Sequence, residues 1–195
     1  MWFKVCYWVV YVVLKPLYRF RFYGREKLPQ GGVVVCANHT SLIDAVLLVL
    51  SLGPNCRLSA MGKAELFKNP ILRWILKSLH VFPVNRGKND ISAIKNSLKA
   101  LKDGRQLVIF PEGTRVHEGE TAEAKTGAGM LSLRAGVPVM PVYITADKKF
   151  FHVSRVIYGT PFLPSCEGRP TSEDYHRVTN EIMAAIHAAK EALPA

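Results

Sequence analysis

The sequence predicts an α/β fold, a single layered domain with a mixed, largely parallel sheet flanked by helices. Two observations carry this prediction. Short β-branched apolar runs alternate with segments of helical periodicity along most of the chain, which is typical of layered α/β proteins. The length of 195 residues suits one domain with its own hydrophobic core. We therefore expect strands to alternate with helices, and ligand-binding residues to lie beyond the carboxyl ends of strands.

The N-terminal stretch is aromatic and predicts a helix lying in a membrane interface. Between Trp2 and Leu14 the only charged residue is Lys4, and the stretch is shorter than the roughly 20 apolar residues that span a bilayer. A basic cluster follows, formed by Lys15, Arg19, Arg21, Arg25 and Lys27. Aromatic side chains beside cations are typical of interfacial helices. Residues 1–24 are predicted to be a membrane-association segment and residues 25–195 the domain; a core element followed by solvated charges is the alternative.

The charge distribution favours an anionic partner. Residues 1–100 hold 15 Lys and Arg against 4 Asp and Glu, whereas residues 101–195 hold 11 of each, so the net charge of +11 lies in the first half. A membrane surface or a phosphate-bearing substrate suits this field. Nucleic acid is not expected, because no nucleic-acid-binding module is recognisable. The four cysteines lack CxxC or metal spacing and indicate a reducing compartment, so we expect a peripheral or monotopic protein on the cytoplasmic face of a membrane.

The elements follow in order from periodicity and capping residues. Strands are predicted at 33–37, 57–61, 81–84, 106–110, 139–144 and 155–160. Helices are predicted at 41–52, after Asn69-Pro70, after Asp90, at 127–135 and after Thr171. The helix after Asn69 has a basic face, so it either contacts a membrane or packs on the sheet. Two prolines at 138 and 141 predict an edge strand or a bend.

A histidine and a carboxylate five positions apart follow the first buried strand. Residues 38–44 read NHTSLID, and Ser41 with Asp44 forms a capping box, so a helix is predicted from Ser41. His39 then lies in a tight strand-to-helix turn with Asp44 near it. A carboxylate bonded to one ring nitrogen frees the other to accept a proton, which makes the pair a candidate general base. A Cys36–His39 nucleophile pair is the alternative, although residues within a buried strand usually only pack.

A second junction, FPEGTR at residues 110–115, follows a later strand. His39, Arg86 and Glu112 each come after a predicted strand, so we expect them at one edge of the sheet.

These blocks resemble the glycerolipid acyltransferase family. The matching blocks are residues 38–44, residues 62–66 with the turn at 85–87, residues 110–115 and residues 137–142, all in the family's order. The resemblance covers residues 25–160 and is greatest to enzymes that acylate lysophosphatidic acid. It implies transfer of a fatty acyl group from an acyl thioester to the sn-2 hydroxyl of 1-acylglycerol-3-phosphate, giving phosphatidic acid for phospholipid biosynthesis.

The resemblance also implies roles for individual residues. His39 is the general base and Asp44 orients it, with direct transfer and no acyl-enzyme. Arg86 and Arg115 bind the phosphate of the acceptor, with Lys63 and Lys125 as further candidates. Glu112 is implied to bind or position the glycerol. The alternative is that Glu112 pairs only with Arg115. Gly113 permits close backbone approach, and Thr114 bonds locally.

No metal or redox cofactor is expected, and acyl-CoA or acyl carrier protein is the co-substrate. Two further interpretations stay open. The acceptor is either lysophosphatidic acid or another molecule, such as glycerol-3-phosphate or a different lysolipid. A non-catalytic membrane-binding protein with the same fold is the second alternative.

Overall fold

Seven strands form one mixed sheet in the part of the chain that the structure, a computed structural model, describes: residues 2–85, 90–115, 124–145 and 148–191. The strands are β1 (Arg21–Tyr23), β2 (Val33–Ala37), β3 (Leu58–Lys63), β4 (Val81–Val84), β5 (Gln106–Ile109), β6 (Val139–Ile144) and β7 (Arg155–Tyr158). The helices are α1 (Trp2–Tyr18), α2 (Ile43–Leu52), α3 (Pro70–Ser78), α4 (Ile91–Lys102), α5 (Gly127–Ala135) and α6 (Ser172–Glu191). Short 3₁₀ helices lie at Arg25–Lys27 and Ala64–Lys68.

The sheet order is β1-β7-β6-β2-β5-β3-β4. The five strands β6, β2, β5, β3 and β4 run parallel, whereas β7 is antiparallel to β6 and pairs in parallel with β1. The carboxyl ends of the five parallel strands therefore meet at one edge, which we call the carboxyl edge.

The strand β2 lies at the centre of the sheet, which explains its unbroken apolar run, since central parallel strands are covered on both faces. All five of its residues are fully buried. Val33, Val35 and Ala37 pack with apolar residues of α1 and α2, and Val34 and Cys36 pack on the opposite face with residues of α5 and α6. Helices thus cover both faces, and the predicted fold class is confirmed.

One local prediction is wrong, and one of two alternatives is excluded for another. The helix α2 begins at Ile43 rather than Ser41, because the amides of Thr40 and Ser41 donate to the Asp44 carboxylate in a turn before the helix. The strand β6 is not an edge strand, since it pairs with β2 on one side and β7 on the other. Its ladder to β7 begins at Val142, just after Pro141, so the proline lies outside that ladder.

The N-terminal helix is present and docks on the domain through a few residues. The Tyr7 side chain is buried, and its hydroxyl donates to the carbonyl oxygen of Leu50 on α2 at 2.8 Å. Phe20 is fully buried, and β1 follows directly in the sheet. The strand β1, which precedes residue 25, therefore belongs to the same sheet as β7. None of the described helices is both long and apolar enough to cross a membrane.

Candidate active site

His39 and Asp44 meet at the carboxyl edge, in the turn between β2 and α2. The His39 Nδ1 lies 3.2 Å from Asp44 Oδ2. The same oxygen accepts the backbone N–H groups of Thr40 and Ser41, both at 2.7 Å. The Asp44 side chain is fully buried and that of His39 is 12 % exposed. Because Nδ1 faces the carboxylate, Nε2 is the ring nitrogen that this arrangement leaves for proton transfer.

Lys148 occupies the other side of the same carboxylate. Its Nζ lies 2.5 Å from Asp44 Oδ1, its side chain is 5 % exposed, and it also donates to the Thr40 hydroxyl. This residue lies in the connection after β6 and was not among the site residues predicted from the sequence. The only sequence signal was its place after a parallel strand, where side chains reach the carboxyl edge.

The surroundings of Asp44 keep its carboxylate ionised. Burial by itself raises the pKa of Asp44, but bonds from His39, Lys148 and the Ser41 amide outweigh this effect and hold the pKa below its usual value. An ionised, oriented carboxylate is the state that stabilises an imidazolium on His39.

Glu112 joins the second predicted junction to the first. It follows β5, is largely buried, and its Oε2 accepts the backbone N–H of His39 at 2.7 Å. Burial raises the pKa of Glu112, while the bond from His39 opposes this shift. The neighbouring Phe110 ring stacks on the His39 imidazole, with centroids 4.2 Å apart. The predicted partner of Glu112 was a glycerol or Arg115, and no role was predicted for Phe110.

Asn38 fixes the strand that carries His39. Its side-chain amide donates to the Ile144 carbonyl at 2.9 Å and accepts the Ile144 N–H at 2.7 Å. These two bonds join the ends of β2 and β6, so the turn with His39 and the connection with Lys148 share one support. Asn38 belongs to the motif at residues 38–44, but this contact was not predicted from the sequence.

The tip at residues 113–115 is more open. Gly113 has φ of +68°, and a Cβ there would lie 2.7 Å from the Lys125 Cδ, so a larger residue would collide with that side chain. The Lys125 N–H donates to the Pro111 carbonyl at 2.8 Å, which holds Lys125 at this tip. Thr114 and Arg115 are exposed. The structure thus brings Lys125 next to the FPEGTR junction, where the sequence alone left it unplaced.

The remaining predicted binding residues are less constrained. Lys63 ends β3 at the carboxyl edge, with its Nζ 3.8 Å from Glu65 and about half of its side chain exposed. Arg86 lies outside the described residues.

The Cys36 thiol is fully buried within β2, and burial raises its pKa, so this cysteine is a packing residue rather than a nucleophile.

The comparisons with known proteins identify the family of this chain. Residues 19–145 match the sequence model of the family described as Acyltransferase, and this match covers more than half of the chain. The chain therefore belongs to the Acyltransferase family and is an acyltransferase enzyme. The family resemblance expected from the sequence motifs is confirmed.

Individual relatives share a name. The chain is 33% identical to the 1-acyl-sn-glycerol-3-phosphate acyltransferase of Bacillus subtilis over 140 residues, which are 71% of this chain and 69% of the relative. It is 31% identical to the protein of that name from Streptococcus pneumoniae over 178 residues, 87% of this chain and 66% of the relative. A chloroplastic relative from Brassica napus is 29% identical over 142 residues, 71% of this chain but only 40% of the relative.

A solved structure supports the fold. The 1-acyl-sn-glycerophosphate (LPA) acyltransferase PlsC from Thermotoga maritima superposes with a TM-score of 0.71. It is 24% identical, and the alignment covers 97% of this chain and 78% of that one. At this identity the likeness shows the shared fold.

Proposed function

We propose that this acyltransferase moves a fatty acyl group from acyl-CoA or acyl carrier protein to the sn-2 hydroxyl of 1-acylglycerol-3-phosphate, forming phosphatidic acid. The names of the relatives support this acceptor. The observation that carries the mechanism is the contact between His39 Nδ1 and Asp44 Oδ2 at the carboxyl edge. It leaves a basic nitrogen in a partly enclosed turn, beside exposed cations suited to a phosphate.

The reaction needs one base and no covalent enzyme intermediate. An alcohol is a weak nucleophile, so His39 Nε2 takes the hydroxyl proton while that oxygen attacks the thioester carbonyl carbon. Asp44 stabilises the imidazolium that forms. The tetrahedral intermediate then collapses with cleavage of the carbon–sulfur bond, and the leaving thiolate receives the proton from His39. The acyl oxygen ester forms as the thioester breaks, so atoms and charge balance.

The cations at the edge are proposed to hold the acceptor phosphate. Arg115 and Lys125 stand at the tip next to Glu112, and Lys63 ends a strand at the same edge. Arg115 offers a planar, multi-donor group that suits a phosphomonoester. Arg86 joins this set by the family resemblance. Glu112 is proposed to position the glycerol, although its Oε2 also holds the His39 amide.

A membrane surface is the proposed partner of α1 and α3. Exposed apolar residues cover the outer side of both helices: Trp2, Val5, Trp8, Val9, Val12 and Val13 on α1, and Ile71, Trp74 and Ile75 on α3. We call this set the apolar face. The rings of Trp2 and Trp74 lie 5.2 Å apart, so the two helices form one continuous surface. An exposed area of this kind marks an interaction site, and its neighbouring Lys and Arg residues suit anionic lipids on the cytoplasmic side.

The apolar face extends towards the catalytic turn. The Tyr18 ring at the end of α1 lies 5.4 Å from the exposed ring of Phe150. Phe150 follows Lys148 by two residues in the connection that contacts Asp44. A lipid acceptor held in a bilayer leaflet would therefore lie close to the proposed base.

A thiol-release assay tests the function. Purified protein in mixed vesicles is given palmitoyl-CoA or palmitoyl acyl carrier protein, with or without 1-oleoylglycerol-3-phosphate. We expect acceptor-dependent thiol release with phosphatidic acid as the product, lost in His39→Ala and retained in His187→Ala, an exposed histidine on α6. Turnover with another lysolipid only would reassign the acceptor. No turnover with any pair, by protein that binds vesicles, would favour a non-catalytic membrane-binding protein.

A further inference from the structure

Lys148 is a buried cation whose polar contacts, among the described residues, lie in the catalytic turn. Its ammonium group lies 2.5 Å from Asp44 Oδ1 and donates to the Thr40 hydroxyl. A lysine whose side chain is 5 % exposed is unusual, since lysines rarely lose water without a partner. The lysine comes from the connection after β6, more than 100 residues away from the turn in sequence. This long-range contact is therefore built by the fold rather than by local geometry.

The two oxygens of Asp44 have separate partners. Oδ2 contacts the His39 Nδ1 and accepts hydrogen bonds from the two backbone amides, whereas Oδ1 contacts the Lys148 ammonium group. A carboxylate with only one oxygen held can rotate about its side-chain torsion. Contact at both oxygens fixes the plane of the group and hence the direction of the bond to His39.

We propose that Lys148 is a positioning residue for acyl transfer, which directs Asp44 Oδ2 at His39 by holding Asp44 Oδ1 and the Thr40 hydroxyl. This inference rests on the proposed function, in which His39 is the base. In this proposal Lys148 acts through Asp44 rather than on the substrate. Its charge also offsets part of the Asp44 charge that an imidazolium on His39 experiences.

The proposal makes a specific prediction for the pH dependence of turnover. The titratable groups around the His39 ring and turn are Asp44, Lys148 and Glu112. Without the Lys148 cation, an imidazolium faces an uncompensated carboxylate, so the base stays protonated to higher pH. The buried Asp44 also loses a partner that favours its ionised form. Both effects move the acid limb of the kcat–pH profile to higher pH.

The experiment compares four variants in the thiol-release assay with palmitoyl-CoA and 1-oleoylglycerol-3-phosphate in vesicles. Lys148→Met removes the charge and the donor, Lys148→Gln keeps a donor without charge, and Lys148→Arg keeps the charge. Lys102→Met, at the exposed end of α4, is the matched control. We expect Lys148→Met and Lys148→Gln to lower kcat about 10- to 100-fold. We also expect little change in KM and an acid limb moved upward by about one pH unit. Lys148→Arg should recover most of kcat and the original limb.

A double-mutant cycle separates positioning from general stabilisation. In an Asp44→Asn background, Lys148→Gln should change kcat less than threefold, because the residue acts through Asp44. Additive losses, an unmoved acid limb, or wild-type kcat in Lys148→Gln would each overturn the proposal. If Lys148→Met does not fold, as judged by its melting temperature, Lys148→Gln and Lys148→Arg carry the test. An inactive wild type would contradict the proposed function itself, whereas an active wild type with unchanged Lys148 variants would contradict this inference alone.

Discussion

The turn after β2 and the tip after β5 lie at the same edge of the sheet but are built differently. In the turn, Asp44 is fully buried and its two oxygens contact His39, Lys148 and two backbone amides. At the tip, Thr114 and Arg115 are exposed to solvent. The turn fixes the proposed proton acceptor in one orientation, whereas the tip presents exposed cations to a proposed ligand.

This difference fits the two tasks of an acyl transfer. Proton transfer depends on the position of a nitrogen to within a few tenths of an ångström, so dense bonding in the turn favours it. Recognition of a phosphate depends more on charge and donor number, which mobile basic side chains supply. Glu112 lies between the two, since it belongs to the tip in sequence but holds the turn through the His39 amide.

Removal of the base should have the largest effect. We expect His39→Ala to lower kcat by about 10²- to 10⁴-fold, because a positioned general base contributes this much. KM for the acceptor should change little, since the cations proposed to bind its phosphate remain. The measurement is steady-state thiol release, with vesicle pelleting to show that the variant still binds membranes. Retained turnover would show that His39 is not the base. The proposed division of tasks between the turn and the tip would then be wrong.

Replacement of the buried carboxylate should affect stability as well as rate. Asp44→Asn leaves the Lys148 cation buried without its counter-charge, which we expect to lower the free energy of unfolding by about 3 kcal/mol. Chemical denaturation at neutral pH measures this change. Asp103→Asn, at an exposed carboxylate after α4, should stay within about 0.5 kcal/mol of the wild type. Equal losses in both variants would contradict a special status for the turn.

The same pair predicts the pH dependence of stability. The pKa of Asp44 in the folded protein is held below its ordinary value of 3.8, so the folded state favours the ionised form. Its contribution to stability is therefore present above that value and is lost as the pH falls through the folded pKa. The wild type should lose free energy of unfolding in this acid range more steeply than Asp44→Asn. Parallel curves for the two proteins in acid would contradict the assigned shift.

Local patterns predicted the framework of both regions. The apolar run of β2, the capping residues Asn69 and Asp90, and the apolar stripe of α6 each depend on neighbouring residues, and the structure has them where expected. The spacing from His39 to Asp44 likewise encodes a contact within one turn. Such features are readable because the interactions that determine them are short-range.

The missed features are long-range. Lys148 reaches Asp44, and Asn38 reaches Ile144, across more than 100 residues of sequence. The place of β6 within the sheet depends on its pairing with both β2 and β7, which the prolines in its own sequence do not report. The partner of Glu112 is a backbone amide, and no side-chain pattern specifies such a contact.

A change at the tip should affect binding rather than chemistry. Arg115→Ala is expected to raise the apparent KM for 1-oleoylglycerol-3-phosphate about tenfold and to leave kcat nearly unchanged, since one charge-assisted contact to phosphate is lost. The KM for palmitoyl-CoA should stay the same. Arg169→Ala, at an exposed arginine in the loop before α6, is the matched control. An effect confined to the acyl donor would contradict a phosphate-binding role.

The smallest effect is expected at Trp2 and Trp74 of the apolar face, which lie outside both regions. Replacing Trp2 and Trp74 together by Ser removes two exposed aromatic rings that meet between α1 and α3, while the buried Tyr7 contact with α2 remains. We expect pelleting with anionic vesicles to fall severalfold, because interfacial binding scales with buried apolar area. The kcat in detergent should persist, since neither ring contacts the turn or the tip. Leu163→Ser, another exposed apolar residue outside this face, should pellet like the wild type. Unchanged pelleting of the Trp2 and Trp74 variant would show that membrane binding does not need the apolar face. The basic residues alone would then account for the binding.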